Sequence, residues 1–411
     1  MTTTVSGGSA PSAVTTSQDV AQHGMAPHSH GAGTLPSNKA DRENRNAPPT
    51  GHEETWRFTP LRRLRGLVPA DPASGECTVA VKTGAAGDDV TAPAGIGVAT
   101  VSRGDERLGI AGEPVDYVPQ RAWTSFEKAT VVTLPREAEL DEPVTVTITG
   151  PGAGRTAYGH LQLRAERFAR GVVVLDYRGS GTYAENVEFV LDDGANLTVV
   201  AVHDWADDAV HVSAHLARIG RDATLKHTVV TLGGDLVRLS PTVTLAGPGG
   251  DVELNGLYFA DAGQHLEHRL FIDHAVPNCR SRVTYKGALQ GAGAHTVWIG
   301  DVLIRAAAEG TDTFELNRNL VLTEGARADS VPNLEIETGE IEGAGHASAT
   351  GRFDDEQLFY LNSRGIPDEL ARRLVVRGFF GEILARITVA DVRVRLEAAI
   401  DAELEAVGVP V

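Results

Sequence analysis

The chain contains three similar short segments, Asp193-Gly194-Ala195-Asn196-Leu197, Arg221-Asp222-Ala223-Thr224-Leu225 and Gly250-Asp251-Val252-Glu253-Leu254. Each places a small polar turn before an apolar residue, and the three leucines lie 28 and 29 residues apart. This spacing fits one coil of a β-solenoid, in which each coil buries its apolar side chains against the next. The repeat therefore favours a solenoid, although sandwiches also alternate strands with turns.

The region from about residue 143 to 341 consists of short β-branched runs separated by Gly, Asp and Asn. No run with a helical period interrupts them. Parallel strands in one open sheet would need helical crossovers, so the possible architectures are a sandwich, a barrel or a coiled stack of strands. The predicted strands span 144–149, 171–177, 197–202, 225–232, 252–259, 297–304 and 320–323.

The composition divides the chain into four parts. Residues 1–54 are rich in Ser, Thr, Gly, Pro, Ala and His without an apolar period, which predicts a disordered tail. Order should begin near Trp56, and the mixed pattern of residues 55–142 predicts an irregular α+β N-terminal domain. Residues 143–350 form the predicted β core, and residues 351–411 a helical C-terminal region.

The charge balance argues against nucleic acid as a partner. The 411 residues carry 37 Lys plus Arg against 55 Asp plus Glu, a formal net charge of −18. Duplex binding depends on clustered Lys and Arg. The chain also has no Gly-Lys dipeptide and hence no P-loop, so it should not hydrolyse ATP by P-loop chemistry.

The sequence also bears on the compartment. No stretch approaches the ~20 apolar residues of a membrane helix, and the N-terminus lacks the pattern of a secretion signal. Two cysteines, Cys77 and Cys279, cannot form a disulfide framework. We therefore expect a cytoplasmic protein without a membrane partner.

Two amphipathic helices are predicted near the C-terminus. Pro367 suits the first position of a helix. The apolar stripe of this helix consists of Leu370, Leu374, Phe379, Phe380, Ile383, Leu384 and Ile387. The stripe of the second helix consists of Val392, Leu396, Ile400 and Leu404. Each stripe needs a partner surface, either the chain's own body or another protein.

Histidines are candidate metal ligands in two places. His265, His268 and His274 lie in one predicted strand, where side chains alternate between faces, so His268 and His274 can share a face while His265 points away. His211 and His215 would share a face but could not converge without a sharp bend. Hydrogen-bonded structural histidines are favoured over a metal site in both places.

The second half of the chain carries a series of blocks that is similar to a known family. The blocks are residues 274–287, which read His-Ala-Val-Pro-Asn-Cys-Arg-Ser-Arg-Val-Thr-Tyr-Lys-Gly, then Asn317-Arg318-Asn319-Leu320, Pro332-Asn333-Leu334-Glu335-Ile336, His346-Ala347-Ser348-Ala349-Thr350-Gly351 and Leu358-Phe359-Tyr360-Leu361-Asn362-Ser363-Arg364-Gly365-Ile366. Their order resembles the SufB/SufD family of iron–sulfur cluster assembly proteins. The chain is more similar to the SufD branch, because Ala328-Asp329-Ser330 has alanine where SufB-like chains carry cysteine.

The resemblance implies a mainly β fold, a right-handed parallel β-helix core between an N-terminal α+β or helical region and a C-terminal helical region. It also implies a scaffold subunit and not an enzyme, in a complex with a SufB-like subunit and a SufC-like ABC ATPase. Two copies of the chain could self-associate when the SufB-like subunit is absent. The ATPase would bind the C-terminal helices through Leu374, Phe379, Phe380, Ile383, Leu384 and Ile387.

The cysteine content agrees with a shared cluster site. Iron–sulfur clusters are usually held by several cysteine thiolates, and this chain has only Cys77 and Cys279, of which Cys279 is predicted to be a buried small apolar residue. Alone it should hold no stable cluster, and a transient cluster would take most ligands from a partner. His346 matches a family histidine placed at the SufB–SufD interface, which makes it a candidate ligand. The alternative is a histidine that bonds to backbone at the end of a coil. Ala344 stands where many SufD-like chains have cysteine.

Two other functions remain open at this stage. A β-helix enzyme acting on polysaccharides would need a secretion signal and clustered acidic residues on one strand face, and neither is evident. A structural solenoid without a cluster role would not co-purify with an ATPase and a SufB-like partner. Lys286 and Arg364 are predicted to make structural hydrogen bonds at coil turns.

Overall fold

A computed structural model describes residues 47–69, 71–83, 95–352 and 355–406. Most of the predicted N-terminal tail lies outside these residues. The strands are β1 Thr78–Thr83, β2 Gly97–Ser102, β3 Lys128–Leu134, β4 Val144–Thr149, β5 Thr156–Ala165, β6 Arg170–Gly179, β7 Thr182–Leu191, β8 Asn196–Trp205, β9 Val210–Ile219, β10 Thr224–Thr231, β11 Leu236–Leu245, β12 Asp251–Ala260, β13 His265–His274, β14 Arg280–Leu289, β15 His295–Ile304, β16 Asp312–Val321, β17 Arg327–Ile336 and β18 Gly343–Arg352. The helices are a 3-10 helix, Leu61–Leu64, and α1 Tyr117–Ser125, α2 Asp355–Ser363, α3 Asp368–Arg386 and α4 Ala390–Ala406.

The strands form two nine-stranded sheets that enclose a common interior. One sheet runs β1-β4-β6-β8-β10-β12-β14-β16-β18 and the other β17-β15-β13-β11-β9-β7-β5-β3-β2. Strands two apart in sequence pair in parallel, except for the antiparallel pairs β1–β4 and β2–β3. This is a parallel β-solenoid of about eight turns, which confirms the mainly β fold and the solenoid prediction.

The repeat that predicted the solenoid is correct for two of its three segments. Leu197 of β8 pairs with Leu225 of β10, as the 28-residue spacing requires. The next partner of Leu225 is Val252, whereas Leu254 pairs with His227. This turn is therefore 27 residues long, and the predicted equivalence of Leu254 was wrong by two residues. Leu254 still lies in the interior, because a shift of two residues keeps the same face of a strand.

Most predicted strands coincide with strands of the first sheet. The run 144–149 matches β4, and the runs that begin at 171, 197, 225 and 252 fall on β6, β8, β10 and β12. The run 320–323 overlaps β16 only at residues 320 and 321, because β16 ends at Val321. The interior is filled mainly by Val, Leu, Ile, Ala and aromatic side chains from both sheets.

The N-terminal residues cover the outer face of the second sheet. Trp56, Leu64 and Val118 form a buried cluster with Val210 and Val212 of β9. The cluster removes from water the apolar side chains on the outer face of the sheet. The N-terminal segment therefore stabilises that face.

A buried arginine fastens this cover to the sheet. Arg238 of β11 donates to the carboxylate of Asp116 at 2.5 Å and to the backbone oxygen of Thr55 at 2.9 Å. Its guanidinium carbon lies 3.9 Å from the ring centre of Trp56, and its Nε lies 3.3 Å from Glu267. Its charge is therefore compensated on both sides.

The C-terminal helices cover the outer face of the first sheet. Phe380 and Ile383 of α3 and Leu396 of α4 pack with Leu257 and Phe259 of β12. Within the described residues, no helix has both the length and the apolar character needed to cross a bilayer.

Candidate functional site

His346 lies at one end of the solenoid. It belongs to β18, which is the outermost strand of its sheet and pairs only with β16. Its direct neighbour in the ladder is Glu315 of β16. The side chain of Glu315 points into the interior, and the strand register places the side chain of His346 on the same side. The His346 side chain is nevertheless exposed, because no further described strand covers it.

Glu315 is an unusual residue for a protein interior. It is 1% exposed, and the described residues give neither of its carboxylate oxygens a hydrogen-bond partner. Burial, assisted by the charge of Asp301, raises the pKa of Glu315 to about 8. The indole nitrogen of Trp298, also without a partner among the described residues, lines the same layer. Gly300 makes room for both, because a Cβ there would lie 2.8 Å from Oε1 of Glu315 and 2.4 Å from the Trp298 ring.

A polar network spans the interior next to Glu315. Asn317 donates to the hydroxyl of Tyr258 at 2.9 Å, which donates to the amide oxygen of Asn319 at 2.7 Å. Asn319 donates to Asn317 at 2.8 Å, and Ser330 of β17 donates to Asn317 from the opposite sheet. These bonds join the two sheets in the last turns and hold the open end in shape.

The histidines of β13 occupy the faces that strand alternation predicts. His268 and His274 point into the interior, where they bond to Thr231 at 3.1 Å and Ser281 at 2.9 Å. His265 points to the outer face and bonds to Glu267 at 3.1 Å. Over the described residues, no group of three or more His, Cys, Asp or Glu side chains is arranged to hold a metal ion.

His211 and His215 share the interior with two histidines that the sequence reasoning did not single out. His203 lies between them, with ring centres 5.3 Å from His211 and 6.1 Å from His215. Nδ1 of His215 lies 3.2 Å from Nε2 of His227. Strand alternation could have placed His203 in the interior. His203 lies six residues after Leu197 in β8, so the two side chains share a face.

Both thiols are poorly suited to bind iron in this structure. Cys279 is buried, as predicted, and its Sγ lies 3.5 Å from the backbone oxygen of Gly247. Cys77 is partly buried and packs against the interior cluster near Glu185. Burial raises the pKa of both thiols, which disfavours the thiolate that iron requires.

Most of the stripe predicted to bind a partner is covered by the chain itself. Phe380, Ile383, Leu384 and Ile387 are buried against the first sheet. Leu374 is 45% exposed.

Phe379 is half-buried, and it also links α3 to the sheet. Its backbone oxygen accepts a hydrogen bond of 3.0 Å from Lys286 of β14, which also pairs with Glu382 at 2.8 Å. Lys286 therefore fastens the helix from the middle of a strand, and Arg364 lies after α2 with its guanidinium over the ring of Tyr360. The prediction that both residues lie at coil turns was wrong.

Exposed apolar side chains nevertheless remain on the C-terminal helices. Phe359 and Tyr360 of α2 are 75% and 56% exposed, and Leu370 of α3 is 47% exposed. Together with Leu374, these are the exposed apolar side chains of the two helices, and we refer to them as the α2–α3 surface.

Comparison with known proteins relates this architecture to a family. A family model described as "SUF system FeS cluster assembly, SufBD core domain" matches residues 147–379. An iron–sulfur cluster assembly SufBD family protein of Mycobacterium tuberculosis is 64% identical over 363 residues, which are 87% of this chain and 89% of the relative. The chain belongs to the SufBD family.

Two SufBD family proteins of Mycobacterium leprae differ in their similarity to this chain. One is 60% identical over 362 residues, covering 87% of this chain and 90% of the relative. The other is 25% identical over 238 residues, covering 58% of this chain and 27% of the relative. The SufBD core match runs from β4 to α3, so it includes both Glu315 and His346.

Proposed function

We propose that this chain is a SufD-type scaffold subunit of a cytoplasmic iron–sulfur cluster assembly complex. It would pair with a SufB-like subunit, bind a SufC-like ABC ATPase, and carry out no enzymatic reaction itself. The cluster is the cargo of the complex and would be built where the two solenoids meet. Family membership supports this function over a polysaccharide-acting enzyme or a plain structural solenoid.

The open end of the solenoid carries the argument for pairing. β17 and β18 are the outermost strands of their sheets, and every residue of β18 from His346 onward is exposed. Such strands present unpaired backbone groups and invite strands from another chain. A SufB-like solenoid docked here would cover the interior that this chain leaves open.

The α2–α3 surface supports the assignment of an ATPase partner. Exposed apolar side chains grouped on one surface are typical of protein interfaces. Because this chain lacks a P-loop, ATP hydrolysis would have to come from the bound subunit.

His346 would be this chain's iron ligand in the shared site. A neutral imidazole can bind iron, as it does in Rieske-type centres. The exposed position of His346 beside the open edge leaves its ring accessible to a partner's ligands. Because burial disfavours the thiolate of Cys279 and of the partly buried Cys77, the cysteine ligands would come from the partner.

The test is co-expression with the two partner subunits, with mass measurement and anaerobic iron and sulfide analysis. We expect a three-component complex, and no stoichiometric cluster on the isolated chain. His346→Ala should leave the complex intact and lower its cluster content several-fold, because only an exposed side chain is removed.

The matched control is His52→Ala, which removes another exposed histidine far along the chain from β18. It should leave the cluster content unchanged. An unchanged content in His346→Ala would remove that residue from the site, and a stoichiometric cluster on the lone chain would contradict the shared site.

A further inference from the structure

The carboxylate of Glu315 is not explained by the packing around it. Buried polar groups in proteins are almost always hydrogen-bonded, and a buried carboxylate is unfavourable without compensation. Among the described residues, neither carboxylate oxygen of Glu315 has a hydrogen-bond partner. The nearby amides of Asn317 and Asn319 do not provide one, because they are hydrogen-bonded to each other and to Tyr258. A group of this kind at the end of the interior has oxygens that are free to bind a cation.

The neighbour of Glu315 indicates which kind of ion this carboxyl group could bind. Glu315 and His346 are direct partners on β16 and β18, with both side chains on the interior face. Adjacent strands lie about 4.8 Å apart, so the carboxylate and the imidazole can approach the separation of two ligands that each bind a metal at about 2.0–2.2 Å. One oxygen and one nitrogen donor suit a divalent transition metal such as iron.

We propose that Glu315 and His346 together form a two-ligand site for a divalent transition-metal ion at the open end of the solenoid. The proposal rests on the proposed function, because the remaining ligands would come from the partner subunit. No three metal-binding side chains converge within the described residues, so the chain alone should bind the ion weakly.

The experiment is a titration of the full chain, without partners, with Co²⁺ as a stand-in for Fe²⁺ that is stable in air. We expect one weak site with visible absorption bands of a nitrogen- and oxygen-bound Co²⁺. Glu315→Gln and His346→Ala should each weaken binding at least tenfold. The double variant should be little weaker than either single variant, because the two residues serve one ion.

Glu335→Gln is the matched control. Glu335 is exposed on β17, in the same turn, and lies on the outer face. This variant should bind Co²⁺ like the unmodified chain. Glu315→Gln keeps the shape of the side chain and cannot ionise in the buried site, so its melting temperature should not fall.

The outcomes separate this proposal from the proposed function. Unchanged Co²⁺ binding in Glu315→Gln, or equal loss in Glu335→Gln, would overturn the metal site and would point to a Glu315 that bonds only to buried water. Failure of the chain to form a complex with a SufB-like subunit would count against the proposed function. That failure would leave the titration of the lone chain valid.

Discussion

Among the single residues, Arg238 shows how this solenoid accommodates charge beneath its cover. It is fully buried between Asp116 and Glu267 and lies against Trp56. Burial alone would raise the pKa of Glu267, but the charge of Arg238 and the hydrogen bond from His265 hold it well below its usual range. Each charge therefore contributes to the stability of the other, together with Asp116 beside Arg238 and Arg269 beside Glu267.

Removal of this arginine should be costly. Arg238→Met leaves the carboxylate of Glu267 buried with less compensation, which we expect to lower the free energy of unfolding by about 3–5 kcal/mol. Urea unfolding of the full chain, followed by circular dichroism, measures the change. Arg62→Met, at an exposed position of the 3-10 helix, should change it by less than about 0.5 kcal/mol. A loss below 1 kcal/mol in Arg238→Met would mean that water reaches Glu267.

Residues of the open end differ in how far the sequence could identify them. His346 could be singled out because it lies in a block that resembles a family. Glu315 could not, because it precedes His346 by 31 positions and only the β16–β18 register makes them neighbours. The coverage of Phe380 and Ile383 by the chain's own sheet could not be predicted either, since an apolar stripe does not specify its partner.

In the pair of elements β12 and β14, glycines and tyrosines alternate across the ladder. Gly256 pairs with Tyr285, and Tyr258 pairs with Gly287. A Cβ at Gly256 would lie 2.0 Å from the Tyr285 ring, and one at Gly287 would lie 1.9 Å from the Tyr258 ring. Each buried ring therefore lies over the glycine of the neighbouring strand. This packing explains the Tyr-Lys-Gly ending of the block at 274–287.

Gly287→Ala should disturb this arrangement. The added methyl group forces the Tyr258 ring to move, and with it the hydroxyl that bonds to Asn317 and Asn319. Overpacking of a core typically costs 1–3 kcal/mol, so we expect a loss of about 2 kcal/mol in the free energy of unfolding. Gly351→Ala in β18 is the control, because its Cβ would meet nothing within 4 Å. Equal stability of the two variants would contradict the packing argument.

The two sheets were not equally predictable. β4 and β8 carry uninterrupted β-branched runs and were found from the sequence. β7 and β9 were missed because they contain buried charged or polar side chains, which break the apolar pattern. These are Glu185 and Glu188 in β7 and His211 in β9. These segments are strands because each pairs in parallel with a strand on either side of it in the sheet. That pairing is not visible in a linear sequence.

For the whole molecule, the histidines in the interior make stability dependent on pH. Burial lowers the pKa of His227 and His274 to about 4 and that of His268 to about 3. Burial also lowers the pKa of His203 and His215 well below the usual value. The unfolded chain binds protons at these positions near pH 6.5, whereas the folded chain binds them only at lower pH, near 4 for His227 and His274 and near 3 for His268.

Unfolding therefore takes up protons between about pH 6.5 and 4, and the folded state should lose stability as the pH falls through this range. Each histidine contributes up to about 1.4 kcal/mol per pH unit. Glu315 and Asp301 act in the opposite direction, because burial raises their pKa to about 8 and about 6. Burial also raises the pKa of Asp204 and Glu403 and lowers that of His265 on the outer face. Among the described residues, four such carboxyls therefore oppose six histidines, which leaves a net loss.

Urea midpoints measured from pH 7.5 to 5 test this prediction. We expect the midpoint to fall steadily, and His268→Gln should make the decline shallower by removing one of the groups that takes up a proton. A midpoint that stays level or rises toward pH 5 would show that the interior histidines already carry protons in the folded chain.

The reversed strands β1 and β2 limit how many such molecules can be joined. At the end where His346 lies, the strands within each sheet are parallel and could be continued by a neighbour. At the opposite end, β1 and β2 run against their partners and are only six residues long, so they break the repeat. Copies joined only by continuing the parallel ladder could not be added one behind another into a fibre. If a neighbour docks at the His346 end as proposed, growth through the ladder would stop there, and the product would be a closed pair with its shared surface at the centre.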